Sequence, residues 1–173
     1  MEVFRTLGAK AEKQKPRKRR KPAEAAVTPT RTIPELAGAK VLIVDDDIRN
    51  IFSLTSVLES HEVEVLHAER GKDGILILEQ TPGVDVALID IMMPEMDGYE
   101  TMQQIREREE LADLPLIAVT AKAMKGDRQK CLDAGASDYI AKPVDIELLL
   151  ALLRVWIARS RHGSIEAPLE AAE

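Results

Sequence analysis

A chain of 173 residues with 45% apolar side chains suits one folded body plus an appendage, and with 3% aromatics its core must be aliphatic. The net charge of −6 hides a division: residues 1–38 hold 10 Lys/Arg against 4 Asp/Glu, and residues 39–173 hold 14 against 26. One cysteine, Cys131, excludes a disulfide framework and fits a reducing cytoplasm. No apolar run approaches the ~20 residues of a membrane span, and no secretory signal opens the chain, so a soluble cytoplasmic protein is expected.

Residues 1–38 show little periodicity. A basic block, Lys13-Gln-Lys-Pro-Arg-Lys-Arg-Arg-Lys-Pro22, precedes an Ala/Thr/Pro-rich stretch over 23–34. Such a composition cannot bury enough apolar surface to offset its ordering entropy, so 1–38 is expected to be a disordered basic tail. The block has the charge to bind nucleic acid or an acidic partner, although a solvated tail is the simpler account.

From Lys40 the pattern changes. Val41–Val44 is an apolar strand running into Asp45-Asp46-Asp47, and Ile48–Ser60 has helical spacing at Ile48, Ile51, Phe52, Leu54, Thr55 and Leu58. Asp47 is placed to cap that helix. Val63–His67 reads as a short strand. Lys72–Gln80 reads as a helix with Ile75, Leu76 and Leu78 inside, closed by Thr81-Pro82-Gly83. Val84–Asp90 is a strand rich in β-branched residues that ends in one acid, after which Met-Met-Pro-Glu-Met-Asp-Gly98 turns the chain away. Glu95 and Asp97 read as loop charges, and Met92, Met93 and Met96 as packing. An amphipathic helix over Tyr99–Arg108 follows, then a strand Leu116–Thr120, a helix Lys125–Ala134 closed by Gly135, and a strand Asp138–Ala141 leading to Lys142-Pro143. Asp145 caps a last helix to about Arg159, with Leu148, Leu149, Leu152, Val155 and Trp156 facing inward; residues 161–173 are expected to be a flexible tail.

Five alternations of strand and helix argue for an α/β fold: a flavodoxin-like (βα)5 arrangement, parallel sheet of order 2-1-3-4-5, helices on both faces, with the body over 39–160. In such a sheet, sites form beyond the carboxyl ends of the strands. That rule selects Asp45 and Asp46 after strand one, Asp90 after three, Thr120 after four and Lys142 after five. Three converging carboxylates repel unless a cation is present, and a hard divalent ion with oxygen ligands is the natural partner. One Lys and one Thr hydroxyl add donors for phosphate oxygens, and an Asp can serve as the nucleophile of phosphoryl transfer. Taken singly, each has a plainer reading, as a helix cap, a β-former or a surface charge; the ordered conjunction is the specific signal.

The motifs Val-Leu-Ile-Val-Asp45-Asp46-Asp47, Asp90-Ile-Met-Met-Pro94-Glu-Met-Asp-Gly98, Ile-Ala-Val-Thr120-Ala121, Gly135-Ala-Ser-Asp-Tyr139 and Lys142-Pro143 closely resemble the receiver domain of two-component response regulators. Asp-Ile-Arg49-Asn50-Ile-Phe and Ala-Lys122-Ala-Met124 resemble more narrowly the receivers of hybrid sensor histidine kinases. The resemblance implies that Asp90 is the phosphoacceptor and that Asp45 and Asp46 hold Mg²⁺ (or Mn²⁺), with the backbone carbonyl of Met92 completing the shell. It further implies that Thr120 and Lys142 contact the phosphoryl group, that Tyr139 is a rotamer switch, and that the bond before Pro143 is cis. The implied partner is a histidine kinase or histidine phosphotransfer protein, with Arg49, Asn50 and Ser53 as candidate contacts. Whether phosphorylation drives a homodimer through the face of helix four, strand five and helix five is left open by the sequence. The implied function is phosphorelay signalling rather than conventional enzyme catalysis, as a stand-alone regulator or as a fragment of a hybrid kinase. A haloacid-dehalogenase-like phosphatase using Asp45 lacks room for a cap and a later paired-acid motif, and the acidic body argues against a nucleic-acid adaptor.

Overall fold

The computed structural model describes residues 31–122 and 124–162. The basic block therefore lies outside the described residues, as do residues 163–173. Five strands alternate with helices: β1 Lys40–Val44, α1 Ile48–Glu59, β2 Glu64–Ala68, α2 Gly71–Gln80, β3 Val86–Asp90, α3 Gly98–Arg106, β4 Leu116–Thr120, α4 Lys125–Asp133, β5 Asp138–Ala141 and α5 Ile146–His162. A 3₁₀ turn at Glu109–Leu111 precedes β4. All neighbouring strands pair in parallel, in the order β2-β1-β3-β4-β5. This is the flavodoxin-like fold expected from the alternation of apolar runs.

Helices cover both faces of the sheet, which is why β3 and β4 are buried along their whole lengths. Leu42, Val44, Ala87, Ile89, Leu116 and Ala118 point to one face, against Ile75, Leu78, Met102, Ile105 and Cys131 of α2, α3 and α4. Val41, Ile43, Val86, Leu88, Ile117 and Val119 point to the other, against Ile51, Leu54 and Leu58 of α1 and Leu149, Leu153 and Ile157 of α5. Each fully buried Val, Leu, Ile or Met among them contributes roughly 1.5–3 kcal/mol. No helix among the described residues is long and apolar enough to cross a membrane.

Three expectations are corrected. On α5 the inward stripe is Leu149, Leu153 and Ile157, while Leu148 and Val155 are exposed. Ile48 and Phe52 of α1 and Leu76 of α2 also face outward. The helices are apolar on more than one face, so spacing alone selects the wrong stripe. The boundary expected at residue 38 falls inside the packed body: Leu36 is fully buried, Ile33 packs on the same cluster, and Glu35 pairs with Arg154 of α5 at 2.7 Å. The Ile33 N–H donates to Nδ1 of the buried His61, and the Gly38 N–H to the Glu62 carbonyl. An isolated pair of apolar residues in a Pro-containing stretch carries no period by which to recognise it.

Candidate functional site

Register places the site. Val44 pairs with Ile89, which sets Asp45 abreast of Asp90 at the carboxyl ends of adjacent strands. The sheet order steps outward in both directions from β1 and β3, so this pair sits at the topological switch point. Asp90 pairs with Val119, putting Thr120 one residue further along β4, and Thr120 pairs with Ala141, which leaves Lys142 just past β5.

Ligand oxygens of Asp45, Asp46 and Asp90 lie within 4.8 Å of one another. Asp45 and Asp90 are buried, whereas Asp46 is exposed. The Lys142 ammonium bridges the two buried carboxylates, 3.3 Å from Asp45 Oδ2 and 3.2 Å from Asp90 Oδ1. The Lys142–Pro143 bond is cis, as expected. Asp45 also accepts from the Asp47 N–H at 2.8 Å and from Asn50 Nδ2 at 3.2 Å. Asn50, named above as a candidate partner contact, thus also touches the site. Asp47 caps α1 by accepting from the Arg49 N–H, and pairing with the Arg49 side chain holds its carboxyl at about 2.

Burial pushes the Asp90 carboxyl above its ordinary range, and the charge of Asp45 adds to this; Lys142 and the Met92 N–H, 3.2 Å from Oδ1, act against it. Desolvation pulls the Lys142 ammonium down, but Asp90 and Asp45 outweigh it and raise it overall. Three carboxylates and one ammonium leave a formal deficit of two positive charges. A divalent oxygen-seeking ion matches that deficit and this donor set.

The loop after β3 is built for close approach. Gly98 donates its N–H to the Ile91 carbonyl at 3.0 Å, and a Cβ there would stand 2.3 Å from the Asp90 carbonyl oxygen. Asp97, expected as a loop charge, caps α3 by accepting from the Glu100 N–H at 2.9 Å. Met93 and Met96 are buried as expected of packing residues, while the Met92 side chain is exposed.

Thr120 is buried at the same edge, but its hydroxyl is engaged locally: Oγ1 donates to the Lys122 carbonyl and accepts the Lys122 N–H. The Tyr139 ring packs beside the α2–α4 cluster with the Arg128 guanidinium 5.6 Å from its centroid. Arg106 has a part that sequence reasoning missed. Its half-buried guanidinium donates to the carbonyls of Gly135, Leu111, Ala112 and Leu114. Desolvation lowers its pKa while Asp113 opposes the shift. Arg106 also reaches the Ser137 hydroxyl at 3.4 Å, and no sequence pattern marks a side chain whose partners are mostly backbone carbonyls.

Fold and site together define a flavodoxin-like domain with an acid-lined centre at its switch point. The family profile of the response regulator receiver domain matches residues 41–154. Protein PilH of Pseudomonas aeruginosa is 39% identical over 120 residues, 69% of this chain and 98% of that protein. Hybrid signal transduction histidine kinase L of Dictyostelium discoideum is 37% identical over 130 residues, 72% of this chain but 8% of that kinase. A similar solved structure is the receiver domain of a sensor histidine kinase of Pseudomonas aeruginosa, with a magnesium ion coordinated in its active-site cleft. It has 35% identity, a TM-score of 0.65, and coverage of 70% of this chain and 99% of that one. Another is the Saccharomyces cerevisiae Ssk1 receiver domain in complex with the histidine phosphotransfer protein Ypd1, at 28% identity and TM-score 0.65, covering 71% and 91%. The chain belongs to the response regulator receiver domain family, and is a receiver of two-component phosphorelay signalling.

Proposed function

We propose that Asp90 is the phosphoacceptor and that a phosphohistidine of a kinase or phosphotransfer protein is the donor. The observation that carries this is Asp90 itself: a buried carboxylate at the switch point, held 3.2 Å from the Lys142 ammonium and beside a second buried acid. A carboxylate oxygen of Asp90 attacks phosphorus, the P–N bond breaks, and the imidazole leaves with the bonding pair and takes up a proton. Return of the switch is hydrolysis: water attacks phosphorus, the P–O bond to Asp90 breaks, and the carboxylate is restored.

Asp45, Asp46, Asp90 and the Met92 carbonyl would hold Mg²⁺ or Mn²⁺, which neutralises charge as the phosphoryl group moves. Lys142 would pair with a phosphoryl oxygen in place of its contacts to Asp90 and Asp45. Thr120 would turn its hydroxyl from Lys122 toward the phosphoryl group, and Tyr139 would move into the space vacated behind it. The chain acts as a signalling switch, and catalysis is confined to its own phosphorylation and dephosphorylation. The near-complete coverage of PilH supports a stand-alone regulator; the small share of the hybrid kinase covered keeps a kinase fragment as the second reading. The exposed Met124, at the N-cap of α4, and Leu132 on α4 support a homodimer through the α4–β5–α5 face.

The test is incubation with Mg²⁺ and a small acyl-phosphate donor, followed by intact mass. Wild type gains one phosphoryl group and Asp90→Asn gains none; equal gain in both, or none in either, rejects the assignment.

A further inference from the structure

The phosphorelay site makes no use of the basic block Lys13–Lys21, which places seven Lys/Arg in nine residues between and beside Pro16 and Pro22. The body carries a groove of the opposite sign. It lies under the amino ends of the strands, at the far end from the acid cluster, with a volume of about 1330 Å³. Trp156, Pro82, Pro115 and Leu111 supply its apolar lining, and Glu110 and Asp113 outnumber its one arginine, Arg159, whose guanidinium lies 4.8 Å from the centroid of the Trp156 ring. Glu107 and Glu109 stand beside them, so four exposed carboxylates fall within seven residues, and none has an ion pair among the described residues. Arg108 within that stretch and Arg106 just before it are committed elsewhere, Arg106 mainly to backbone carbonyls and Arg108 to Glu79 and the Gln104 carbonyl.

The chain enters the body next to this groove. Glu35 pairs with Arg154, and α5 continues from there to His162, which lines the groove. The Lys40 N–H and Arg161 both reach Asp85, joining the start of β1 to the last turns of α5. Nine residues, Pro22 to Thr30, span up to about 30 Å, against about 12 Å of helix from 154 to 162. The other nearby segment, 163–173, holds three glutamates and no Lys or Arg, so it would meet a rim of its own sign.

We propose that Lys13–Lys21 docks on this groove within the same chain, its cations pairing with Glu110 and Asp113 and its flanking prolines lying against the apolar lining. A Pro-bracketed segment loses little entropy on adopting the extended form that aromatic- and proline-lined grooves accept. A short tether gives it a local concentration in the millimolar range, enough to hold individually weak contacts. Docking is electrostatic at its rim and therefore salt-dependent.

Trp156 is the only tryptophan of the chain and lines the groove, so collisional quenching of its fluorescence by neutral acrylamide reads docking directly. In the full chain, replacing Arg17, Lys18, Arg19, Arg20 and Lys21 by Gln should raise the quenching constant about twofold, as loss of a tethered occupant predicts. Raising salt from dilute buffer to ~1 M should do the same to wild type and little to the variant. Glu110→Lys with Asp113→Lys should match the block variant, and changing the block residues to Glu in that background should restore protection. Glu110 and Asp113 are exposed, and far-UV circular dichroism confirms that the variants fold. Equal quenching in wild type and the block variant overturns the proposal. So does protection that grows with protein concentration, which assigns the groove to a second copy, or protection lost only on truncation after His162. None of these readouts depends on Asp90, so failure here leaves the phosphoacceptor assignment intact.

Discussion

Replacing Gly98 by Ala tests how the loop after β3 presents Asp90. The added Cβ would lie 2.3 Å from the Asp90 carbonyl oxygen and 2.6 Å from the Ile91 Cα, where ordinary contact begins at 3.4 Å. Both atoms are backbone, so no side-chain rotation relieves the clash. The start of α3 and the end of β3 must separate by about 1 Å, stretching the Gly98–Ile91 hydrogen bond of 3.0 Å. Overpacking of this kind costs about 1–3 kcal/mol, a fall in Tm of roughly 4–12 °C for a body of this size. Because the displaced carbonyl is that of Asp90, Mg²⁺ affinity should fall as well. Gly126 is the internal control: it sits in α4 with nothing within 4 Å of a built Cβ. Gly126→Ala should raise stability by about 0.5–1 kcal/mol through helix propensity, without altering Mg²⁺ binding. Thermal unfolding followed by circular dichroism and calorimetric Mg²⁺ titration measure both. A Gly98→Ala protein as stable as wild type, with undiminished Mg²⁺ affinity, would refute the reasoning.

Leu36→Ala should cost about 2–5 kcal/mol in urea unfolding, because the side chain is fully buried in the cluster that α1 and α5 form with the sheet; a loss below ~0.5 kcal/mol would return this segment to the tail. Arg106→Met should cost at least about 1.5–3 kcal/mol, the worth of one hydrogen bond from a charged donor, since of the four carbonyls that lose theirs only that of Ala112 is at an exposed contact where water readily replaces it. Its Mg²⁺ affinity should be unchanged, as Arg106 touches none of the acid cluster. For Asp90, burial and Asp45 raise the folded-state carboxyl above its ordinary value of 3.8, so folding favours its protonated form. Its contribution to stability is therefore present below 3.8 and lost as pH rises through the folded value. Metal-free Asp90→Asn should thus gain stability over wild type as pH increases, and saturating Mg²⁺ should stabilise wild type by about 2.7 kcal/mol at a hundredfold excess over Kd while leaving the variant little changed.

Much of the fold was legible because the strands are short apolar runs stopped by single polar residues. Asp45, Asp90 and Thr120 end such runs in a set order, and the rule that places sites beyond parallel strand ends then brings three acids and Lys142 together. Helix faces were less legible. In α5 the run Leu148-Leu149-Leu150-Ala151-Leu152-Leu153 is apolar all round, and only packing selects Leu149 and Leu153 over Leu148. Leu36 has no periodic neighbours, so composition assigned it to the tail. The inward turn of Asn50 and the carbonyl contacts of Arg106 depend on how distant segments converge, which no local spacing encodes. Thr120 was placed correctly at the edge, but the engagement of its hydroxyl with Lys122 appears only in three dimensions.

The central claim concerns one carboxylate, and borohydride reduction tests it most directly. An aspartyl phosphate is reduced to homoserine, whereas a free carboxylate is untouched, so tandem mass spectrometry of the treated, phosphorylated chain locates the acceptor. Homoserine at position 90, dependent on Mg²⁺ and on donor, is the predicted result. Homoserine at position 45, 46 or 47 instead would contradict it.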